Sequence, residues 1–249
     1  MIATIRSEWL KLRTVRSNLV MIAVALLIPI AIVLLTASFI DFTGVSDTTI
    51  AELLVGSGTS SVMVLGVIGV LAVTQEYSQG TIRITLAATP NRLRVYAAKV
   101  MVVALLAAIV AAVVIGICRL AGVAILEGRG FVGELGYDGE AEVYGALVVM
   151  AMVVAMLGCA AGTLTRNPPG AISALLLWPL VVENIVGGVL GVLIDGWKQD
   201  WMPFQTGLSA LSVSVHDLEF GRWGSIGYFS LWVGVLSVVA LRLLGRRDA

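Results

Sequence analysis

Six long apolar stretches follow one another along this 249-residue chain, at residues 19–40, 53–74, 100–126, 143–164, 171–194 and 223–241. An α-helix rises about 1.5 Å per residue, so about 20 apolar residues match the roughly 30 Å hydrocarbon core of a bilayer. Lipid offers no partner for a bare peptide group, whereas a helix pairs its own. The pattern predicts an all-α integral membrane protein with six transmembrane helices. Hydrophobic residues make up 59% of the chain and charged residues only 13%, which excludes a domain stable in water. The connections are too short for a further folded catalytic domain, so residues 1–249 read as a single transmembrane domain. The first stretch exceeds the apolar region of a secretory signal peptide and is expected to stay in the membrane.

Orientation follows from Lys and Arg, because acidic residues contribute little to the positive-inside rule. Arg6, Lys11, Arg13 and Arg16 precede the first stretch, and Arg83, Arg92, Arg94 and Lys99 lie between the second and third. Arg166 follows the fourth, and Arg242, Arg246 and Arg247 follow the sixth. Only Arg129, Lys198 and Arg222 fall on the other side, so both termini are expected in the cytoplasm. Glu134, Asp138, Glu140 and Glu142 gather outside, so the zero net charge conceals an asymmetry and gives nucleic-acid binding no support.

Three connecting segments carry pattern of their own. Ile2, Ile5, Trp9 and Leu12 recur at spacings of three, four and three, an apolar stripe with Arg6 and Lys11 beside or opposite it. This predicts an N-terminal interfacial helix lying flat on the inner leaflet, with Trp9, Lys11 and Arg13 as its anchors, since long basic side chains snorkel to phosphates. The plainer alternative is a positive flank that only sets topology.

In the connection 76–99, Gly80 permits a sharp turn, while Thr89 and Pro90 read as the N-cap and first position of a helix running through Arg92, Arg94 and Lys99. Ile82, Ile84 and Leu86 alternate, so residues 81–88 fit a short helix or an extended piece. Between the fifth and sixth stretches, Trp197, Trp201, Phe204, Leu208, Leu211 and Val215 form a helical stripe that Pro203 divides. A pair of short re-entrant or interfacial helices dipping into the outer leaflet is expected there, and an aromatic belt is compatible with it.

Inside the stretches only Arg119 and Glu183 are charged. An ionisable group near mid-membrane costs at least about 2.5–3.5 kcal/mol on insertion scales and turns toward protein or water. Glu183 lies roughly 18 Å into the fifth stretch, with Asn184 beside it. The pair reads either as part of a substrate pathway or as a carboxyl group that holds two helices together. Arg119 is close enough to the outer interface to snorkel and poorly placed to meet Glu183. Gly116, Gly158, Gly162, Gly187, Gly188 and Gly191 read as positions of close helix approach.

No catalytic constellation emerges. Cys118 and Cys159 lie toward opposite ends of their spans, which speaks against a disulfide, and the lone His216 offers no metal-ligand spacing. Gly56, Ser57 and Gly58 resemble a serine nucleophile's setting, but no histidine occurs in any span to activate the hydroxyl. Asn167, Pro168 and Pro169 match only an altered, single copy of a water-channel signature. The phosphate-binding sequence GxxxxGK[ST] is absent, so the chain does not bind ATP in that way.

The segment from Ser7 to Ser17, SEWLKLRTVRS, resembles the amino-terminal interfacial helix of permease subunits in bacterial ATP-binding-cassette (ABC) exporters of the type 2 family. Glu76, Gly80, Thr81, Arg83, Pro90, Arg92 and Lys99 form an E…GT…R…P…R…K pattern similar to that family's first cytoplasmic loop. The resemblance implies a pair of permease subunits, identical or related, assembled with two copies of an ABC ATPase subunit. ATP and Mg would be held by the ATPase, with no cofactor on this chain. It also implies that the loop is a coupling helix, with Glu76, Gly80, Thr81, Arg83, Pro90, Arg92 and Arg94 serving ATPase coupling. The setting would be a bacterial inner membrane, and the cargo a drug, peptide or lipid-like molecule exported by alternating access.

Three other classes compete with this one. An autonomous ion-gradient-driven transporter or channel would work alone and usually carries more intramembrane acids than Glu183. A scaffold or sensor would bind partners without flux. A membrane enzyme would need the constellation that is missing.

Overall fold

Every one of the six apolar stretches is helical in a computed structural model that describes residues 1–40, 47–89, 91–131, 139–198, 201–213 and 219–246. In chain order the helices are α1 (Ile2–Thr14), α2 (Arg16–Phe39), α3 (Asp47–Ser78), α4 (Ile82–Ala88), α5 (Arg92–Gly128) and α6 (Glu140–Thr165). They continue with α7 (Pro168–Leu177), α8 (Glu183–Leu193), α9 (Pro203–Ser209) and α10 (Gly221–Arg246). A π-helical turn, Trp178–Val182, joins α7 to α8. Among the described residues six units are long and apolar enough to cross a membrane: α2, Val55–Ser78 of α3, α5, α6, the continuous Pro168–Leu193 segment, and Gly221–Gly245 of α10. Among the described residues there is no strand. The chain is an all-α, multi-pass membrane protein.

α3 and α6 are the most buried spans and form the centre, with α2, α5, α7 and α10 around them. Their contact is a seam of reciprocal glycines. A Cβ on Gly69 would stand 2.1 Å from the Ala155 carbonyl oxygen, and one on Gly158 would stand 2.0 Å from that of Gly66. Gly162 approaches the Val70 carbonyl oxygen at 3.0 Å in the same way. Lipid tails are as apolar as leucine, so close packing of small residues replaces hydrophobic exclusion as the attraction between spans. Of the glycines read as positions of close approach, Gly158 and Gly162 belong to the seam, whereas Gly116 and Gly188 border open space. Their partners Gly66 and Gly69 carry no such mark in the sequence.

α1 meets α2 at an extended corner, Val15. Its stripe does not lie on lipid: Leu12 is buried, and Ile5 and Trp9 pack on the bundle core beside α5 and α2. Only Ile2 remains well exposed. Glu8 sits on the same face and is itself buried against the bundle.

Residues 82–88 resolve as helix, entered through the left-handed turn at Gly80 (φ +68°) that only glycine adopts without strain. The start of α5 also differs from expectation. Asn91 is the N-cap, and its side chain accepts the Arg94 N–H at 3.0 Å, while Thr89 ends α4. Asparagine is a stronger cap than threonine, and it stands one residue before the first helical turn. Pro90 lies outside the described residues, as do Glu134, Asp138, Val215, His216 and Arg247. α1, α4 and the end of α10 share one end of the bundle, where the Arg92 guanidinium donates to the Leu244 carbonyl oxygen. Arg6 and Arg13 on α1, Arg83 on α4 and Arg242 on α10 make this the basic end of the molecule.

The seam predicts an asymmetry among alanine substitutions. Gly69→Ala and Gly158→Ala should each force α3 and α6 apart and cost about 1–3 kcal/mol, the usual range for overpacking. Gly116→Ala should be neutral. Thermal melts of purified protein in detergent read the difference.

Candidate functional site

Four charged side chains meet where α1 crosses the ends of α3 and α5. Glu8 and Lys11 lie one turn apart on α1, Glu76 stands in the last turn of α3, and Lys99 stands in the second turn of α5. The Lys11 ammonium donates to Glu8 Oε1 at 2.6 Å and to Glu76 Oε1 at 2.7 Å. Lys99 donates to Glu8 Oε2 and, at 2.9 Å, to Glu76 Oε1. Glu8, Glu76 and Lys99 are buried, whereas the Lys11 side chain is 38% exposed. Desolvating isolated charges costs several kcal/mol each, so only mutual pairing makes such a cluster tolerable. Two acids and two bases balance it.

Burial alone would lower the Lys11 pKa, but its hydrogen bonds to Glu76 and Glu8 outweigh burial and hold it above the ordinary lysine value. One acceptor is left over: Glu76 Oε2 is buried with no hydrogen-bond partner among the described residues. Glu76 lines a cavity of about 210 Å³ together with Glu8, Lys11, Asn18, Gln79, Thr85 and Lys99, among others. Gln75 extends the network to the start of α2, donating to Ser17 Oγ at 2.7 Å.

The other residues of the 76–99 segment divide between surface and bundle. Arg83 and Arg94 are exposed, Arg92 is half-buried and tied to the end of α10, and Thr81 Oγ1 reaches the Glu76 carbonyl oxygen at 3.5 Å. α4 buries Ile82 and half-buries Thr85 and Leu86. Ile84, Ala87 and Ala88 face outward at helical spacing, with Ile84 71% exposed. On α1, Trp9 is half-buried against the core and Arg13 is exposed.

A second cluster lies toward the opposite end. α9 starts deep in the bundle: Gly207 abuts Met150, ten residues into α6, and the Phe204 ring meets Phe229 on α10 at 5.1 Å. Ten residues at about 1.5 Å each place that contact roughly 15 Å from the start of α6, so α9 is re-entrant. A helix start at that depth leaves N–H groups that neither water nor lipid can satisfy. Pro203 removes one by having none, as suits a first helical position.

Glu183 takes the next two. Its carboxylate accepts the Phe204 N–H at 2.9 Å and the Gln205 N–H at 2.9 Å, with the Trp178 indole N–H at 3.1 Å. Asn184 donates to the Pro179 and Leu180 carbonyl oxygens at 3.3 and 3.0 Å, bridging the π turn. At the far end of α9 the buried Arg222 donates to the Ala210 and Ser212 carbonyl oxygens at 2.6 and 3.0 Å. An anion at its start and a cation at its end match the helix dipole. Arg119 does not join Glu183; it pairs with Glu140 at 2.5 Å. Cys118 and Cys159 are buried and unbridged.

Glu8 and Arg222 are the residues that sequence reasoning passed over. Glu8 carried a signal: it lies three residues after Ile5 and four before Leu12, on the apolar face, where a carboxylate needs a partner. Arg222 looked like an ordinary loop charge.

Lys99→Met should destabilise the fold by about 3–5 kcal/mol, because it leaves two buried carboxylates to share the single Lys11 charge. Lys11→Met should cost less, given its exposure, and melting curves of the two variants should rank them so. The Lys11 contribution should be fully present below pH 10.5 and lost only as pH rises through its raised folded value, so melts across the neutral range should not register it. Glu183→Leu should cost about 1–3 kcal/mol for each stranded α9 N–H, read as faster amide exchange at Phe204 and Gln205.

The profile of the ABC-2 family transporter proteins matches residues 4–164, from α1 to the end of α6. The matched stretch contains the whole Glu8–Lys11–Glu76–Lys99 cluster and α4, and stops before Glu183. No curated protein matches the chain significantly. The chain belongs to the ABC-2 transporter family, as a multi-pass permease that is not itself catalytic and whose family implies an ABC ATPase partner and a membrane setting.

Proposed function

We propose that this permease exports its cargo by alternating access, with α4 as the coupling helix that docks on a separate ATPase subunit. The observation that carries the reading is the outward face of α4. Ile84, Ala87 and Ala88 make a short apolar stripe with Arg83 at its edge, projecting from the bundle between two fixed corners, Gly80 and Asn91. A helix presenting apolar anchors at i, i+3 and i+4 is suited to a partner's groove.

In this reading the basic end faces the cytoplasm, in keeping with the positive-inside rule, and both termini lie there. ATP closes a pair of ATPase subunits, and the docked α4 moves with them. Displacement passes to α3 through the Gly80 turn, to α5 through the Asn91 cap, and to α1 through Glu76 and Lys99. ATP biases the two access states only by binding one of them better, through contacts. A second permease, identical or related, completes the cargo path, against the apolar faces that α2, α8 and α10 leave exposed. Glu183 and Asn184 shape that path by fixing the re-entrant α9. The cargo class is a drug, peptide or lipid-like molecule of a bacterial inner membrane, with ATP and Mg on the ATPase.

The test is reconstitution with the cognate ATPase. Arg83→Glu combined with Ile84→Asp should leave insertion and melting temperature unchanged. ATP-driven transport should fall about tenfold or more, equivalent to at least about 1.4 kcal/mol of lost docking energy. Gly80→Val, which strains the left-handed turn, should uncouple hydrolysis from transport. Uphill transport by vesicles holding this chain alone would defeat the proposal.

A further inference from the structure

The cluster at the basic end is balanced in charge but not in hydrogen bonds. Lys11 and Lys99 each use two of three ammonium protons, on Glu8 and Glu76, which leaves each with one to donate. Glu76 Oε2, on a residue only 6% exposed, has none to accept among the described residues. Lys11, Glu76 and Lys99 all line the same cavity of about 210 Å³, several times what one water needs. The cavity lies where α3 ends and α2 and α5 begin, which in the orientation proposed above is the level of lipid headgroups. Leu12, Val15 and Val103 give its wall an apolar side.

We propose that this cavity binds the phosphoethanolamine headgroup of an aminophospholipid, with the ammonium donating to Glu76 Oε2 and the phosphate accepting from Lys11 and Lys99. A net-neutral zwitterion enters a net-neutral cluster, so no unpaired charge is buried. The match is specific in its chemistry. A choline headgroup carries no N–H to give Glu76, and a glycerol headgroup carries no cation, leaving its phosphate charge uncompensated among Glu8 and Glu76. The apolar wall receives the glycerol end and the first methylenes. The bound lipid acts as a bracket between α1, α3 and α5.

The experiment is native mass spectrometry of the full chain released from nanodiscs of equal parts palmitoyl-oleoyl phosphatidylethanolamine, phosphatidylcholine and phosphatidylglycerol. One phosphatidylethanolamine per chain should be retained, about tenfold over either other lipid. Glu76→Gln should abolish the preference. Because that variant also weakens the ion pairs, Thr85→Phe, which fills the cavity from half-buried α4 and leaves all four charges in place, should abolish it as well in protein that melts normally. Equal retention of the three lipids, or a preference that survives Thr85→Phe, would overturn the proposal. So would a melting temperature raised by free phosphoethanolamine and unaffected by the lipid, since the ligand would then be a soluble one.

Discussion

Below the membrane surface a polar group has no solvent to fall back on, and the arrangement of this chain follows from where it finds partners instead. An unpaired peptide or charged group in hydrocarbon costs several kcal/mol. The six spans meet that demand internally, as helices. The short helices are harder cases, because each begins or ends at a depth where its terminal groups are exposed to lipid or protein. α9 is the extreme one: its start lies midway into the bundle, and the Glu183 carboxylate and Arg222 guanidinium supply the acceptor and donor that water would supply elsewhere. α1 is held by the other pair of opposite charges, on α3 and α5. Charge thus fixes the small helices, while the glycine seam fixes the large ones.

The two kinds of contact differ in how they yield. The α3–α6 seam brings backbone against backbone, and packed backbones resist sliding because any shift meets hard repulsion. An ion cluster can exchange partners at small cost so long as charges stay paired. In the proposed exporter, α3 and α6 would therefore move as one body. The adjustable joint would lie at the basic end, where α4 meets the Glu8–Lys11–Glu76–Lys99 cluster. It is also where α1 and the end of α10 gather.

What could be read from the sequence was set by the range of the interaction involved. Span length and apolarity are local properties, and five of the six spans lie within about four residues of their predicted bounds, while the third is continuous with the helix that starts eight residues earlier, at Arg92. Gly80 was legible for the same reason, since its turn depends on its own backbone. Glu183 was recognisable as a residue needing a partner, but the partner proved to be the backbone of α9 about twenty residues on, which no side-chain pattern encodes. Gly66 and Gly69 escaped notice because a seam needs both helices, and only their juxtaposition separates them from Gly116. Residues 81–88 were undecided because their alternation suits either conformation. Tertiary contact settled it, by burying Ile82 and leaving Ile84 outside.

The stripe of α1 poses a last question: why a helix able to lie on lipid packs on protein. Ile5, Trp9 and Leu12 would suit the membrane interface as well as the bundle, and area alone does not choose between them. Glu8 breaks the tie. On lipid, its carboxylate would face acyl chains, at several kcal/mol, or tilt the helix until the stripe lost contact. On the bundle it meets Lys99, which itself needs a counter-charge. The ion pair contributes little net stability compared with an apolar pair of the same volume, yet it makes one docking far better than the others. That is the arrangement expected where the register of α1 against α3 and α5 matters more than the strength with which it is held, as it would beside a helix that receives force from a partner.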